Sequence, residues 1–324
     1  MNKSWEYFQA NFTEYFKLTL REKVMIKSKK RQVFVVGGTH GNEFTGVYLI
    51  KKLKSLGLKE NYKNISPFFE LGNEEAFKLN KRYVDHDLNR CFSKDFLLAA
   101  KKKFDEKGEN FLEHEEKLAL DLDKKFKEVR ADFIIDLHTT TSQMGPTIIL
   151  SHKDDLSLIV ASHLKKVFPS LKIICEFKEL EDNYCLFTQA KSGILLEFGP
   201  VPQGVLKSEL FLLMEKVVRE TLSFLENVEE VDLNSYKMEE LETFHVLESL
   251  DYPRDEDGGL KGMIHPEREG KDFEPIKDGG PLFICFDGET IHWKGPTVWP
   301  IFMNEAAYYE KSVAMVLTSK QNGF

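Results

Sequence analysis

The 324 residues hold only four cysteines, Cys91, Cys175, Cys185 and Cys285, and none stands in a C-x-x-C pair. That excludes a dense disulfide framework and points to free thiols in a reducing compartment. Long apolar runs are also missing: nothing approaches the roughly 20 residues a bilayer span needs. The opening MNKSWEYFQANFTEYFK mixes polar and aromatic positions where a secretory signal would carry an apolar core. A soluble, cytoplasmic protein without a membrane partner is expected. Positive charge is in deficit, with 45 Lys and Arg against 53 Asp and Glu and a net charge of −8. The short basic runs at residues 27–31 and 101–103 sit beside acidic stretches and read as solvated surface. Nucleic-acid binding rests on clustered cations, so no nucleic-acid partner is expected. Internal repeats and low-complexity tracts are absent too.

What is present is an alternation of strands and helices. QVFVVG (residues 32–37) is β-branched, short and stopped by Gly37 and Gly38, the pattern of a buried strand. A helix follows to about Leu56, with Val47, Ile50, Leu53 and Leu56 at helical spacing and Gly57 as its stop. ISPFFE carries Pro67 and suits a strand near an edge. Helices are predicted over 94–106, 111–130, 154–168 and 205–226, and strands at DFIIDLH, TIIL, LKIICEF and GILLEFG. The alternation implies an α/β fold, with a mostly parallel sheet covered by helices on both faces. Near Val228 the composition shifts to short β-like runs broken by Gly and Pro. The expected division is an aromatic-rich appendage at 1–30, an α/β domain at 31–227 and a smaller β-rich domain at 228–324.

Two strand ends carry chemistry. QVFVVGG delivers Thr39-His40-Gly41-Asn42-Glu43, and DFIIDLH delivers His138. Ligands in open α/β sheets gather at the carboxyl ends of strands, so these two ends can meet at one site. His40 and Glu43, three apart across a strand-to-helix junction, can converge on one ion. With His138 they make three ligands, leaving a fourth place for water, the arrangement of catalytic zinc. Each feature alone occurs often by chance; their combination carries the reading. A His-Glu-His set also accepts other divalent ions. His152, His163 and His245 read as surface or core.

The segments VVGGTHGNEFTGVYL, RYVDHDLNR, DLHTTTSQMG, LEFGPVPQGVL, DYPRDEDG and NEAAYYEK resemble, in order, the signature segments of aspartoacylase and its relatives. The wider group takes in succinylglutamate desuccinylase and, more remotely, the zinc carboxypeptidases. The resemblance runs from about Val33 to Lys311. It implies a carboxypeptidase-like α/β domain holding one zinc per subunit at His40, Glu43 and His138. It also implies a β-rich domain that narrows the active-site entrance. The implied reaction is hydrolysis of an N-acyl amino acid, a small molecule, by a zinc-bound hydroxide with Glu197 as general base. Asn89 and Arg90 fall at the carboxylate clamp, and Arg82 at the arginine that polarises the scissile carbonyl. Tyr308 falls at a mobile tyrosine that contacts substrate, and Thr139, after the last ligand, joins the substrate contacts. A homodimer is compatible with this reading.

The residue types suit these roles. GILLEFG puts Glu197 at the end of an apolar strand, where desolvation raises a carboxyl pKa toward that of a useful proton carrier. Arg90 offers a planar fork for an α-carboxylate that Lys could not match, and Asp87 could orient one arginine. Tyr309 is assigned to packing. The chain departs from aspartoacylase where that family binds a second carboxylate. Phe187, or Thr188 on a shifted alignment, stands for its arginine, and Ser249 for its assisting lysine. Phe187 is therefore expected to line a pocket for a neutral, even aromatic, side chain, unless Gln189 or Lys191 restores acidic recognition. The rival readings are a succinylglutamate desuccinylase-like or carboxypeptidase-like hydrolase, and a zinc-holding binding protein without catalysis. A further rival is a scaffold that recruits partners through residues 1–30.

Overall fold

The computed structural model describes residues 30–57, 62–177, 184–228 and 240–324. The expected appendage therefore lies outside the described residues but for Lys30. In chain order come β1 (Arg31–Gly37), α1 (Phe44–Ser55), β2 (Ile65–Leu71), α2 (Glu74–Lys78), α3 (Lys94–Lys107) and α4 (His114–Val129). Then follow β3 (Phe133–Thr139), β4 (Gly145–Leu150), α5 (Asp155–Val167), β5 (Lys172–Cys175), β6 (Ser192–Gly199) and α6 (Ser208–Asn227). The last third adds β7 (Glu242–Leu250), β8 (Gly262–Ile264), β9 (Pro281–Cys285), β10 (Thr290–His292), β11 (Trp299–Ile301) and β12 (Met315–Asn322). Among the described residues no helix is long and apolar enough to cross a membrane.

Nine strands form one sheet in the order β11-β12-β7-β5-β4-β6-β3-β1-β2, and β10-β9-β8 form a second, small one. Strands β6, β3, β1 and β2 run parallel, while β4 is antiparallel to β6 and parallel to β5. The direction thus reverses between β6 and β4. Strands β7, β11 and β12, from the β-rich third of the chain, continue the large sheet. Among the described residues β2, with Pro67, pairs with β1 alone and forms the sheet's edge, where a missing N–H is tolerated.

Both faces of the sheet are buried, so β1 alternates between two cores instead of between core and water. Val33 and Val35 pack with α1, α5 and α6 through Leu49, Val160 and Val217. Phe34 and Val36 face α4 through Phe126 and Leu122, and the turn before α3 through Phe92. This is why the strand reads as an unbroken apolar run. The helix expected over 111–130 starts later, at His114. The Glu116 carboxylate accepts the Glu113 N–H (2.8 Å) and fixes the first turn there. The short α2 has no periodic signature; it is set by Asn73, whose Oδ1 accepts the Ala76 N–H.

The irregular segment around RYVDHDLNR is held from α4. Glu115 is fully buried, and its carboxylate accepts the N–H groups of Val84 (2.7 Å), Asp85 (2.8 Å) and His86 (3.0 Å), plus the Asn73 amide (2.7 Å). Glu115→Ala would strand these donors. It is expected to lower stability by roughly 3–5 kcal/mol, since each unmet buried donor costs about 1–3. The shift in denaturant midpoint measures it.

A second carboxyl joins the two parts of the chain. Asp272 accepts the N–H of Gln143 (3.1 Å) and that of Met303 (3.0 Å), and burial pushes its pKa up to about 6. A carboxyl raised in this way opposes folding while ionised. The chain gains stability as pH falls through about 6 toward the ordinary value near 4. The destabilisation caused by Asp272→Asn is therefore expected to be about 1 kcal/mol larger at pH 5 than at pH 7. Paired denaturation curves at the two pH values test it.

Candidate active site

His40 and Glu43 arise from the turn between β1 and α1. Gly41 is needed there, because a Cβ at this position would lie 2.2 Å from the Ala76 backbone carbon. Glu43 occupies the N-cap position of α1 but makes no cap. Its carboxylate turns inward instead, taking the Thr139 N–H (2.9 Å) and lying 2.6 Å from His40 Nδ1 and 3.1 Å from His138 Nδ1. A helix cap is given up for the site. The two Nδ1 atoms are 3.1 Å apart, and the ligand atoms of His40, Glu43 and His138 all fall within 4.8 Å of one another.

The remote nitrogens support a metal. His40 Nε2 faces Asp87 Oδ1 at 2.9 Å. His138 Nε2 lies 2.9 Å from Asp136 Oδ2, though off the line of a hydrogen bond. Asp136 is itself fully buried and accepts the Thr39 hydroxyl (2.7 Å). A carboxylate beside each Nε2 suits that nitrogen to carry the proton, which would leave Nδ1 as the atom that binds a shared ion. The three side chains thus fit a divalent metal. Burial works against a charged His138, but Asp136 and Glu43 outweigh it and hold its pKa well above the ordinary imidazole value. Burial likewise opposes ionised Glu43, yet the two histidines hold its pKa well below the carboxylate range.

Glu197 stands opposite His138 in the parallel register of β3 and β6. It is buried, and burial raises its pKa well above the ordinary value. Glu43 and Glu305 add to the effect, and His138 and Arg82 only partly offset it. A carboxyl whose proton affinity is raised in this way, beside a candidate metal site, is suited to proton transfer.

Arg82 donates through Nη1 to Glu43 (3.3 Å) and through Nε and Nη2 to Asp87 Oδ2 (3.4 and 3.3 Å). Asp87 also takes Lys311 Nζ at 2.5 Å, so one carboxylate joins His40, Arg82 and the β-rich part of the chain. Burial opposes its charge, but these cations hold its pKa far below the usual range. Arg90 lies with its guanidinium 4.6 Å from the Tyr184 ring centroid and donates to the Asn89 carbonyl (2.9 Å). Asn89 Oδ1 accepts the Leu186 N–H (3.0 Å), fixing the turn that carries Phe187.

His40, Glu43, His138, Glu197, Arg82, Asn89, Arg90 and Lys311 border one cavity of about 210 Å³ that also takes in Thr139, Phe187 and Tyr308; Asp87 and Asp136 do not line it. Every residue expected at the site borders it. Phe187, not Thr188, faces the cavity. Thr188, Gln189 and Lys191 line a separate groove, so neither the Gln189 amide nor the Lys191 ammonium borders this pocket. Tyr308 packs on Phe302 (5.3 Å between ring centroids), and burial pushes its phenol pKa upward. Tyr309 stacks on Tyr252 at 4.8 Å, a packing role.

Sequence reasoning missed Asp136, Glu305 and Lys311. Asp136 left a signal: it stands two residues before His138, on the same face of an otherwise apolar strand, where an acid is rarely buried without a partner. Glu305 left none. Its Oε2 accepts the Thr140 hydroxyl, the Thr141 N–H (2.7 Å) and the Thr141 hydroxyl (2.9 Å) from 164 residues away and more. The segment after His138 is thereby locked to the C-terminal part of the chain.

Comparison with known proteins agrees with this geometry. Residues 29–225 match the succinylglutamate desuccinylase/aspartoacylase catalytic domain, and residues 239–320 match the AstE/AspA barrel-sandwich hybrid domain. The chain is 38% identical to a protein of Trichodesmium erythraeum named "Probable aspartoacylase", over 91% of this chain and 98% of that one. It is 37% identical to a Homo sapiens protein named "N-acyl-aromatic-L-amino acid amidohydrolase (carboxylate-forming)", over 90% of this chain and 91% of that one. The crystal structure of murine aminoacylase 3 superimposes with a TM-score of 0.80 at 33% identity, covering 90% of this chain and 95% of that one. With its sheet, its His-Glu-His cluster and both family domains in place, the chain belongs to the succinylglutamate desuccinylase/aspartoacylase family.

Proposed function

We propose that the protein is a zinc-dependent amidohydrolase that cleaves an N-acyl, most simply N-acetyl, amino acid with a neutral or aromatic side chain. His40, Glu43 and His138 would hold the zinc, which when bound supplies Lewis acidity at the scissile carbonyl. Glu197 takes a proton from the attacking water and returns it to the amine nitrogen as the C–N bond breaks, giving a carboxylate and a free amino acid. Arg82 stabilises charge developing on the carbonyl oxygen, at no reorganisation cost because Glu43 and Asp87 already fix it. Arg90 and Asn89 receive the α-carboxylate, and Tyr308 and Thr139 contact the substrate. Residues 228–324 act as the part that narrows the entrance.

The observation that carries this reading is the placing of Glu197 directly across from His138, beside the converging ligands. The names of the Trichodesmium and human relatives support the reaction class. The small cavity, about 210 Å³, favours a small substrate over an extended peptide. The missing second cation favours a neutral side chain: Phe187 and Ser249 border the pocket where aspartoacylase-type sequences place Arg and Lys. An activity screen of the zinc-loaded protein against a panel of N-acetyl amino acids tests the proposal. N-acetylphenylalanine is expected to exceed N-acetylaspartate in kcat/KM. A large preference for aspartate would overturn the side-chain reading, and no turnover of any member would overturn the reaction.

A further inference from the structure

Arg82 and Lys311 both border the active-site cavity, and they meet on one oxygen outside it. Asp87 Oδ2 takes Lys311 Nζ at 2.5 Å, while Arg82 reaches the same atom through Nε and Nη2 at only 3.4 and 3.3 Å. A guanidinium and a carboxylate left to themselves close to two parallel bonds of about 2.7–2.9 Å, one to each oxygen. Here both oxygens are already engaged. Asp87 Oδ1 faces His40 Nε2 (2.9 Å) and accepts the Asn89 N–H (3.2 Å), and Oδ2 holds the lysine. The remaining Arg82 contact, from Nη1 to Glu43, is also 3.3 Å. The guanidinium is thus oriented by two carboxylates and saturated by neither.

Lys311 comes from the far end of the chain, but its backbone is held independently of its charge. It ends the 3₁₀ turn Ala306–Lys311, which the Val313 N–H closes on the Tyr308 carbonyl (3.1 Å). The adjacent Glu310 accepts the Tyr83 hydroxyl (3.0 Å), next in sequence to Arg82. We propose that Lys311 is a positioning residue: its hold on Asp87 keeps the Arg82 guanidinium from closing on that carboxylate and leaves it free to bond the substrate carbonyl oxygen. Without the ammonium, Arg82 would draw in to Asp87 and would have to break that pair to meet the developing charge. Catalysis would then carry a reorganisation cost that the wild type avoids. This inference rests on the deacylase reading, in which Arg82 stabilises that oxygen, and adds to it a residue that acts through Arg82.

The test is a double-mutant cycle of wild type, Lys311→Met, Arg82→Met and the double variant. The substrate is the N-acetyl amino acid that the wild type hydrolyses best, and rates are expressed per bound zinc. Arg82→Met is expected to lower kcat about 100- to 1,000-fold, the weight of one oxyanion donor. Lys311→Met should lower kcat on the order of 10-fold with KM within about two-fold, because the loss falls on the transition state. In the Arg82→Met background the same change should cost less than about two-fold, since the group it acts through is gone; a merely structural residue would cost the same factor in both backgrounds. Equal factors overturn the assignment. So does a rise in KM at unchanged kcat, which would make Lys311 a substrate-binding group. A crystal structure of Lys311→Met gives a readout apart from turnover. Arg82 Nε and Nη2 should close on the Asp87 carboxylate to about 2.7–2.9 Å, and distances left at 3.4 and 3.3 Å would reject the proposal. Lys311→Gln, a second neutral variant, should repeat both results; if both variants fail to fold, Lys311 is structural and the assignment falls. If the wild type turns over no substrate, the deacylase reading fails separately, and the hold on Arg82 is judged by the crystal distances alone.

Discussion

Replacing Glu197 with glutamine is expected to lower kcat by about a thousand-fold, within the 10²–10⁴ range of general acid–base catalysis, while one equivalent of zinc stays bound. The change keeps the side chain's shape and removes only its capacity to carry a proton. Glu197 is not among the three converging ligands, so metal affinity does not depend on it. Nor does the substitution strand a buried cation. The neighbouring charges His138 and Arg82 have their own carboxylates, Asp136 and Glu43 for the first, Glu43 and Asp87 for the second. Because the role lies in the transition state, KM should change far less than kcat. Zinc by elemental analysis and steady-state rates on one sample decide the matter. Unchanged turnover with zinc present would show that another group moves the proton.

His138→Ala should act through a different loss. It removes one of three ligands, so stoichiometric zinc should disappear, and kcat/KM should fall at least about a thousand-fold as the Lewis acid is lost. Stability should fall too. Asp136 is wholly buried and keeps only the Thr39 hydroxyl once the imidazole is gone. Breaking such a buried pair costs roughly 3–5 kcal/mol. The melting temperature supplies the control that separates metal loss from misfolding. Wild-type protein should gain stability on adding zinc, by about 4 kcal/mol at a thousand-fold excess over Kd. The variant should show no such response. A variant that still binds one zinc tightly would remove His138 from the ligand set.

These effects differ in how far they could be read ahead of the fold. His40 and Glu43 are three residues apart in one turn, so their convergence is a local matter of backbone geometry. His138 ends an apolar strand, and its setting follows from the same short-range pattern. Phe187 was legible as a substitution where a cation would be expected. Glu115, Glu305 and Lys311 were not, although they hold the segments that bear Arg82, Thr140 and Asp87. Each is one acid or base among many in a charged chain, and its partner lies between 29 and 224 residues away.

The sequence by itself determined the alternation of strands and helices, the burial of both sheet faces and the choice of His40, Glu43 and His138 as a candidate cluster. All of these follow from hydrophobic period and from chemistry within a few residues. Tertiary structure decided which strands became neighbours. The order β6-β3-β1 sets Glu197 against His138 and His138 beside the strand that delivers His40 and Glu43. It also brings the last third of the chain back over the site through Glu305 and Lys311. Strand order is chosen by the packing of whole faces across long loops, and no local pattern encodes that choice.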